Sequence, residues 1–274
     1  KEVKKFDDTY AFGFRRLSKI LFKDQFKRDV FKNIYRSIFD ITKLKPSIIS
    51  IFKGLKNMHK YSLTNCDAVL VQTQQEIKDL QTTYDVKLKN THIVVNGVSE
   101  SFLNNKNYKK PFDFNDYIIC VGRIEPRKNQ INIIKAVEKF RRDNNLDTKL
   151  VFIGSCNFKN HPEYTLKFNN FLKNNNWITH VKYVPNNDMP NYYHFAKVCV
   201  SASWFETTGL TSLEALYCET NAVASGQRAK EYLKDFATYC YPDNINSINA
   251  AITKEYFAKR PKLSDNIKHN YTWK

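Results

Sequence analysis

Glycine is scarce in this chain, at seven of 274 residues against an ordinary usage of about 7%. A chain this sparing with glycine directs attention to where the few are placed. The six cysteines (66, 120, 156, 199, 218 and 240) include no C-x-x-C pair. That spacing argues against a disulfide framework or a zinc site and for reduced, buried thiols. No H-E-x-x-H and no D-x-D occurs, so no metal site of closely spaced ligands is expected. No apolar run approaches the roughly 18 residues of a membrane-spanning helix, and the opening "KEVKKFDDTY" lacks the apolar core of a signal peptide. The expected location is cytoplasmic. Negative charge is also in short supply: 27 acidic residues face 44 Lys and Arg, a net charge of +17. So basic a chain implies anionic partners, whether phosphorylated small molecules, an anionic membrane surface or nucleic acid.

The glycines have a rhythm. Gly97 follows "THIVVN", Gly122 follows "YIICV", Gly154 follows "KLVFI" and Gly209 precedes "LTSLEAL". This placement points to backbone demands at strand ends and at one helix start. From Tyr117 onward, strand-length apolar runs at 117–122, 149–154, 178–184, 198–203 and 221–225 alternate with amphipathic stretches. "QINIIKAVEKFRR", "PEYTLKFNNFLKNN", "MPNYYHFAK" and "GLTSLEALYC" read as the helices between them. Such alternation predicts βαβ crossovers and a parallel sheet covered on both faces. Upstream, "NCDAVLVQT" and "NTHIVVNGV" read as two strands around the helix "QQEIKDLQTTY". The segment 108–116 reads as a linker, giving domains 1–110 and 111–274. Before Asp67 the chain turns helical, basic and aromatic, with Arg15, Lys19, Lys23 and Lys27 at four-residue spacing and Arg28, Lys32 and Arg36 repeating it. A solvated helix face and an interfacial helix on anionic lipid both fit that pattern. Nucleic-acid binding fits least, because no recognition motif accompanies the charge.

Ligands of doubly wound sheets sit beyond the carboxyl ends of the strands, which directs attention to the loops after 117–122 and 198–203. In "GRIEPRKN", Arg123, Arg127 and Lys128 crowd one turn before a helix. This is either a phosphate clamp or a solvated basic turn with Glu125 as its counter-ion. In "SWFETTGLTSLEAL", Thr211-Ser-Leu-Glu214 fits a capping box. Glu214 also falls on the apolar stripe of Leu210, Leu213 and Tyr217, where a carboxylate needs strong donors. A helix beginning at Thr208-Gly209 would instead offer bare N–H groups to a diphosphate. From these residues alone, cap and binding site both stand.

The pair "VGRIEPRKN" and "SASWFETTGLTSLEAL", some eighty residues apart, resembles the donor-site signature of the retaining family-4 (group 1) glycosyltransferases of GT-B fold. "CDAVLVQTQQEIKDL", "HIVVNGVSESF" and the closing "YTWK" extend the likeness to roughly 60–273. The resemblance implies a retaining hexosyltransferase-type enzyme with two Rossmann-type domains facing a cleft, taking a nucleotide-diphosphate sugar and a saccharide or lipid-linked acceptor, with no metal. It implies that Arg123 and Lys128 bind the diphosphate beside Gly122, that Glu206 lies at the donor sugar and that Glu214 holds the ribose. The backbone of Thr208, Gly209 and Leu210 would cradle phosphate and sugar. Glu206, Arg123 and Lys128 become the expected catalytic residues. Phenylalanine is usual where Thr208 stands, and Gly-Thr-Pro where Glu219-Thr220-Asn221 stands. The N-terminal domain looks incomplete or reduced, and His59 reads as structural. Two other readings stand beside the transferase: a non-catalytic nucleotide-sugar or polyanion binding module, and an epimerase of the same fold.

Overall fold

Near-continuous apolar runs bounded by glycine and polar turns fold here as buried parallel strands, and the 3.6-residue stripes between them fold as covering helices. The computed structural model describes residues 2–10, 14–103, 107–156, 158, 160–263 and 271. The chain divides by contacts into two compact units, Val3–Val94 and a second beginning at Val95. The division falls ahead of the expected 110/111 boundary, because Val98 and Phe102 are buried in the same core as Tyr117, Tyr193 and Leu233.

In the first unit, α1 (Glu2–Tyr10), α2 (Phe14–Leu21), α3 (Gln25–Ser37), α4 (Leu44–Lys53) and α5 (Leu55–Asn65) precede β1 (Val69–Val71), α6 (Gln74–Tyr84) and β2 (Thr91–Ile93). Strands β1 and β2 pair in parallel, Leu70 opposite His92. They enclose a small core of Val69, Val71, Ile77 and Leu88. Helix α6 starts where Thr73 Oγ accepts from the Glu76 N–H of the first turn, while the Glu76 carboxylate reaches back to accept from the Gln72 N–H ahead of the cap at 2.9 Å. The four-residue ladder of cations does not run along one helix. α2 ends at Leu21, and Asp24 caps α3 by accepting from the Lys27 N–H at 2.9 Å, which leaves Lys23 between helices. The Arg15 side chain lies outside the described residues. Arg28 and Lys32 pair with Asp7 and Asp29 at 3.6 and 3.2 Å. His59 on α5 contacts the Tyr84 hydroxyl through Nδ1 at 3.0 Å and lies edge-on to Phe26, the structural role expected of it.

The second unit runs β3 (Tyr117–Val121), α7 (Gln130–Asn144), β4 (Leu150–Ile153), α8 (Pro162–Asn174), β5 (Ile178–Val181), α9 (Met189–His194), β6 (Ala196–Ser201), α10 (Leu210–Tyr217), β7 (Asn221–Ser225), α11 (Gln227–Leu233), β8 (Thr238–Cys240) and α12 (Ile245–Phe257). The sixth strand, β8, was not among those read from the sequence. All strands are parallel, in the order β5-β4-β3-β6-β7-β8. Ile118, Ile119, Leu150, Val151, Val198 and Val200 are fully buried, as strands covered on both faces require. The second unit is thus the parallel, helix-covered α/β sheet expected. The connections from β3 and β6 leave in opposite directions, so the loops after these adjacent strands open a crevice at the carboxyl edge.

Three of the four punctuating glycines, Gly122, Gly154 and Gly209, have positive φ, and Gly97 does not. Gly154 at φ 141° lies so close to the Gly122 carbonyl that a Cβ there would overlap it. All six cysteines are free, and Cys120, Cys199, Cys218 and Cys240 are buried. Burial pushes the Cys120 and Cys240 thiols up to about 12, which keeps them protonated and unreactive.

Candidate functional site

The loop after β3 is drawn against the loop after β6 by contacts that neighbouring residues cannot make. After a short 3-10 turn, Pro126–Lys128, Asn129 adopts a left-handed conformation at φ 62° and ψ 29°, which asparagine tolerates better than most residues. It stands at the cap position of α7 but makes no side-chain cap. Its buried amide instead donates to the Ala202 carbonyl at 2.9 Å and to the Pro242 carbonyl at 2.7 Å. The Trp204 N–H donates to the Arg127 carbonyl at 2.9 Å, and Arg127 Nη1 donates to the Phe205 carbonyl at 3.2 Å. The two loops thus form one framework.

Within that framework five charged side chains alternate in sign. Arg123 Nε lies 3.7 Å from Glu125 Oε2, and Arg127 Nε donates to Glu125 Oε1 at 3.2 Å. Arg127 Nη1 stands 3.6 Å from Glu206 Oε2, and Lys128 Nζ donates to Glu206 Oε1. Ser203 Oγ also donates to Glu206 Oε1, at 2.7 Å. Glu125 is the counter-ion of both Arg123 and Arg127, and the Arg123 side chain is 64% exposed against 15% for Lys128. The stem of Lys128 lies over Gly122, where an added Cβ would approach it to 3.2 Å. Burial by itself would raise the Glu206 carboxyl. The Lys128 charge, the hydrogen bonds from Lys128 and Ser203, and the charge of Arg127 outweigh it and hold the group below its ordinary value.

Glu214 has a different environment. Helix α10 begins at Leu210 with Gly209 as its N-cap, at φ 78°, and with no side-chain cap. A side chain at Gly209 would meet Leu233 at 3.3 Å as well as the strained φ, so only glycine suits the position. Thr211 is consequently inside the helix, and the capping box read from Thr211-Ser-Leu-Glu214 does not form. Its glutamate accepts from the buried Tyr193 hydroxyl of α9 at 2.8 Å. Burial raises the Glu214 carboxyl to about 7, with the Tyr193 bond acting against the rise. Thr208 and Gly209 are buried and Leu210 half-buried, and the first N–H groups of α10 have no side-chain cap.

Of the residues singled out from sequence, Gly122, Lys128 and Glu206 come together directly, Arg123 stands at the exposed end of the charge series, and Glu214 lies on the neighbouring helix. Arg127 was noticed only as a third cation. Asn129, Ser203 and Tyr193 were missed. "KNQI" reads as an ordinary helix cap, and nothing local distinguishes Tyr193 from its neighbour Tyr192.

A family model described as "Glycosyl transferases group 1" matches residues 103–271. O-antigen chain mannosyltransferase B of Escherichia coli is 27% identical over 137 residues, which are 50% of this chain and 35% of that protein. Sucrose-phosphate synthase from Thermosynechococcus elongatus has a similar structure, with a TM-score of 0.64 at 19% identity, over 80% of this chain and 57% of the other. A glycosyltransferase from Rickettsia africae ESF-5 gives 0.66 at 17% identity, over 79% and 63%. A trehalose-6-phosphate structure from E. coli bound with UDP-2-fluoro glucose gives 0.64 at 12%, over 76% and 57%. The chain spans about a third of the curated relative's length and 57–63% of these structures.

Proposed function

Since the chain belongs to the group 1 glycosyl transferases, we propose that it transfers a sugar from a nucleotide-diphosphate sugar to an acceptor hydroxyl with retention of configuration. The observation that carries this reading is the alternating charge series beside an uncapped helix start at the switch point of the sheet. Lys128 and Arg123 supply positive charge to the diphosphate, and the backbone of Thr208, Gly209 and Leu210 supplies N–H donors. Glu214, buried with a single hydroxyl partner, accepts from the ribose hydroxyls, and Glu206 faces the sugar. In the retaining reaction the bond from the anomeric carbon to the β-phosphate oxygen breaks as the acceptor oxygen bonds on the same face. The acceptor proton passes to the departing phosphate. Cations and helix donors offset the charge there, the task a metal ion performs elsewhere.

The mannosyltransferase relative supports an acceptor in polysaccharide or lipopolysaccharide synthesis. Thermal stabilisation by UDP, GDP and ADP against inorganic pyrophosphate, at about 0.3 M salt to screen casual anion binding, tests the donor site. One nucleotide should stabilise well beyond pyrophosphate. Equal, weak responses would remove the transferase reading. α2 exposes Leu17, Ile20 and Leu21 close to the basic residues Arg16, Lys19 and Lys23, which supports a peripheral contact with anionic lipid at the inner face of a membrane. The chain should sediment with vesicles containing phosphatidylglycerol and not with pure phosphatidylcholine. Ile20→Ser/Leu21→Ser should reduce that binding several-fold, and unchanged sedimentation of this variant would exclude α2 as the contact.

A further inference from the structure

We propose that Arg127 is a positioning residue of the donor site, holding Glu206 in place when the diphosphate takes over the Lys128 ammonium. The inference rests on the donor-site reading above and adds a residue which that reading leaves without a role. In the free chain Glu206 has Lys128, Ser203 and Arg127 as partners. Lys128 is the conflicted one, because the same ammonium that neutralises Glu206 must meet the incoming diphosphate. An ammonium has three donors and no fixed fork, so it can turn. As it does, Glu206 loses its nearest counter-charge and gains an anion beside it.

Arg127 cannot follow Lys128. Its Nε is held by Glu125 Oε1 at 3.2 Å, its Nη1 by the Phe205 carbonyl at 3.2 Å, and its own carbonyl by the Trp204 N–H at 2.9 Å. Glu125 is 6% exposed, and withdrawing the guanidinium would leave this buried carboxylate with only the exposed Arg123, 3.7 Å away. The guanidinium also lies over the Phe205 ring, 5.8 Å from its centroid. Anchored at these points, it keeps Nη1 3.6 Å from Glu206 Oε2, in position to close on the carboxylate as Lys128 departs. The labour divides by anchoring: the mobile cations, Arg123 and Lys128, go to phosphate, and the fixed one stays with the sugar-facing acid.

The test compares affinity for a nucleoside diphosphate with affinity for its sugar, in wild type, Arg127→Gln, Arg127→Lys and Glu125→Gln. Calorimetry uses whichever of UDP with UDP-glucose, GDP with GDP-mannose or ADP with ADP-glucose the wild type binds. Arg127→Gln should leave the diphosphate Kd within about threefold, yet weaken the nucleotide sugar and slow donor turnover by about tenfold or more. Arg127→Lys should fall between, since a point charge cannot hold Glu125, the Phe205 carbonyl and Glu206 together. Glu125→Gln, which loosens the anchor, should shift in the same direction as Arg127→Gln. Equal weakening of both ligands would make Arg127 a phosphate ligand and overturn the proposal. So would unchanged binding of both, or loss of folding in all three variants, which would make it a structural brace. A wild type that binds none of the pairs would withdraw the donor-site reading itself, whereas the variant outcomes bear on Arg127 alone.

Discussion

Glu214→Gln is expected to make the protein more stable at pH 8 while depriving it of nucleotide binding. Burial raises the Glu214 carboxyl to about 7 from an ordinary 4.5. The folded state therefore holds this proton more tightly than the unfolded one. The stability this confers is fully present below about pH 4.5 and is lost as pH rises through 7. At about 1.4 kcal/mol per pH unit, the loss approaches ~3 kcal/mol at pH 8. Glutamine cannot ionise, still accepts from Tyr193 and escapes the loss. Unfolding midpoints of wild type and variant should coincide near pH 4 and separate by several degrees at pH 8. Nucleotide affinity should fall about 10- to 100-fold in the variant, because bonds from ribose hydroxyls to a carboxylate are worth about 1.5–3 kcal/mol. Since those bonds favour the ionised form, wild-type affinity should rise with pH through 7. A variant less stable than wild type at both pH values would show that the Glu214 carboxylate is well compensated in the free protein. Undiminished affinity would remove Glu214 from the ribose site.

Lys128→Met should be damaging in two separable ways. It strands the Glu206 carboxylate, only 11% exposed at its side chain, with Ser203 and a more distant Arg127. Breaking a buried pair on one side costs about 3–5 kcal/mol, and the remaining partners bring the expected loss down to about 2–4 kcal/mol. The sign with pH follows from the lowered Glu206 carboxyl. Its stabilisation is present above the ordinary carboxylate range and disappears as acid protonates it, so the deficit should shrink toward pH 4. Adding Glu206→Gln should restore most of the stability and none of the activity. Turnover of donor should fall about 10²–10³-fold in both variants if Lys128 stabilises the departing diphosphate. Urea denaturation of wild type, the two single variants and the double variant reads the coupling directly. Strict additivity would mean that the Lys128–Glu206 contact contributes nothing, and near-normal turnover would remove Lys128 from the chemistry.

Much of the second unit was legible before any coordinates. The apolar runs at 117–122, 149–154, 178–184, 198–203 and 221–225 correspond to β3 through β7; in β3, β4, β6 and β7 burial on both faces leaves a continuous apolar signature that local sequence carries, while the edge strand β5 buries only Ile178. β8 escaped because its Thr238-Tyr-Cys240 is short and only partly buried. Of the two starts the sequence allows for α10, a capping box at Thr211 and a bare start at Thr208-Gly209, the structure takes the second. Thr211 and Glu214 have the right spacing, but the left-handed turn at Gly209 starts the helix earlier and leaves Thr211 inside it.

Sequence alone determined the alternation of strand and helix, the glycines at three positive-φ turns (Gly122, Gly154 and Gly209) and the placement of Arg123, Lys128, Glu206 and Glu214 after or beside two strands. These are properties of chemistry along the chain, and a period of two or 3.6 residues encodes them locally. Tertiary structure decided which charges meet. Lys128 and Glu206 are 78 positions apart, Asn129 and Ala202 are 73, and Tyr193 and Glu214 are 21. No local period records such distances. They are closed by the strand order that sets β3 beside β6, and that closure separates the exposed Arg123 from the anchored Arg127 and leaves Glu214 with a tyrosine hydroxyl in place of a cation.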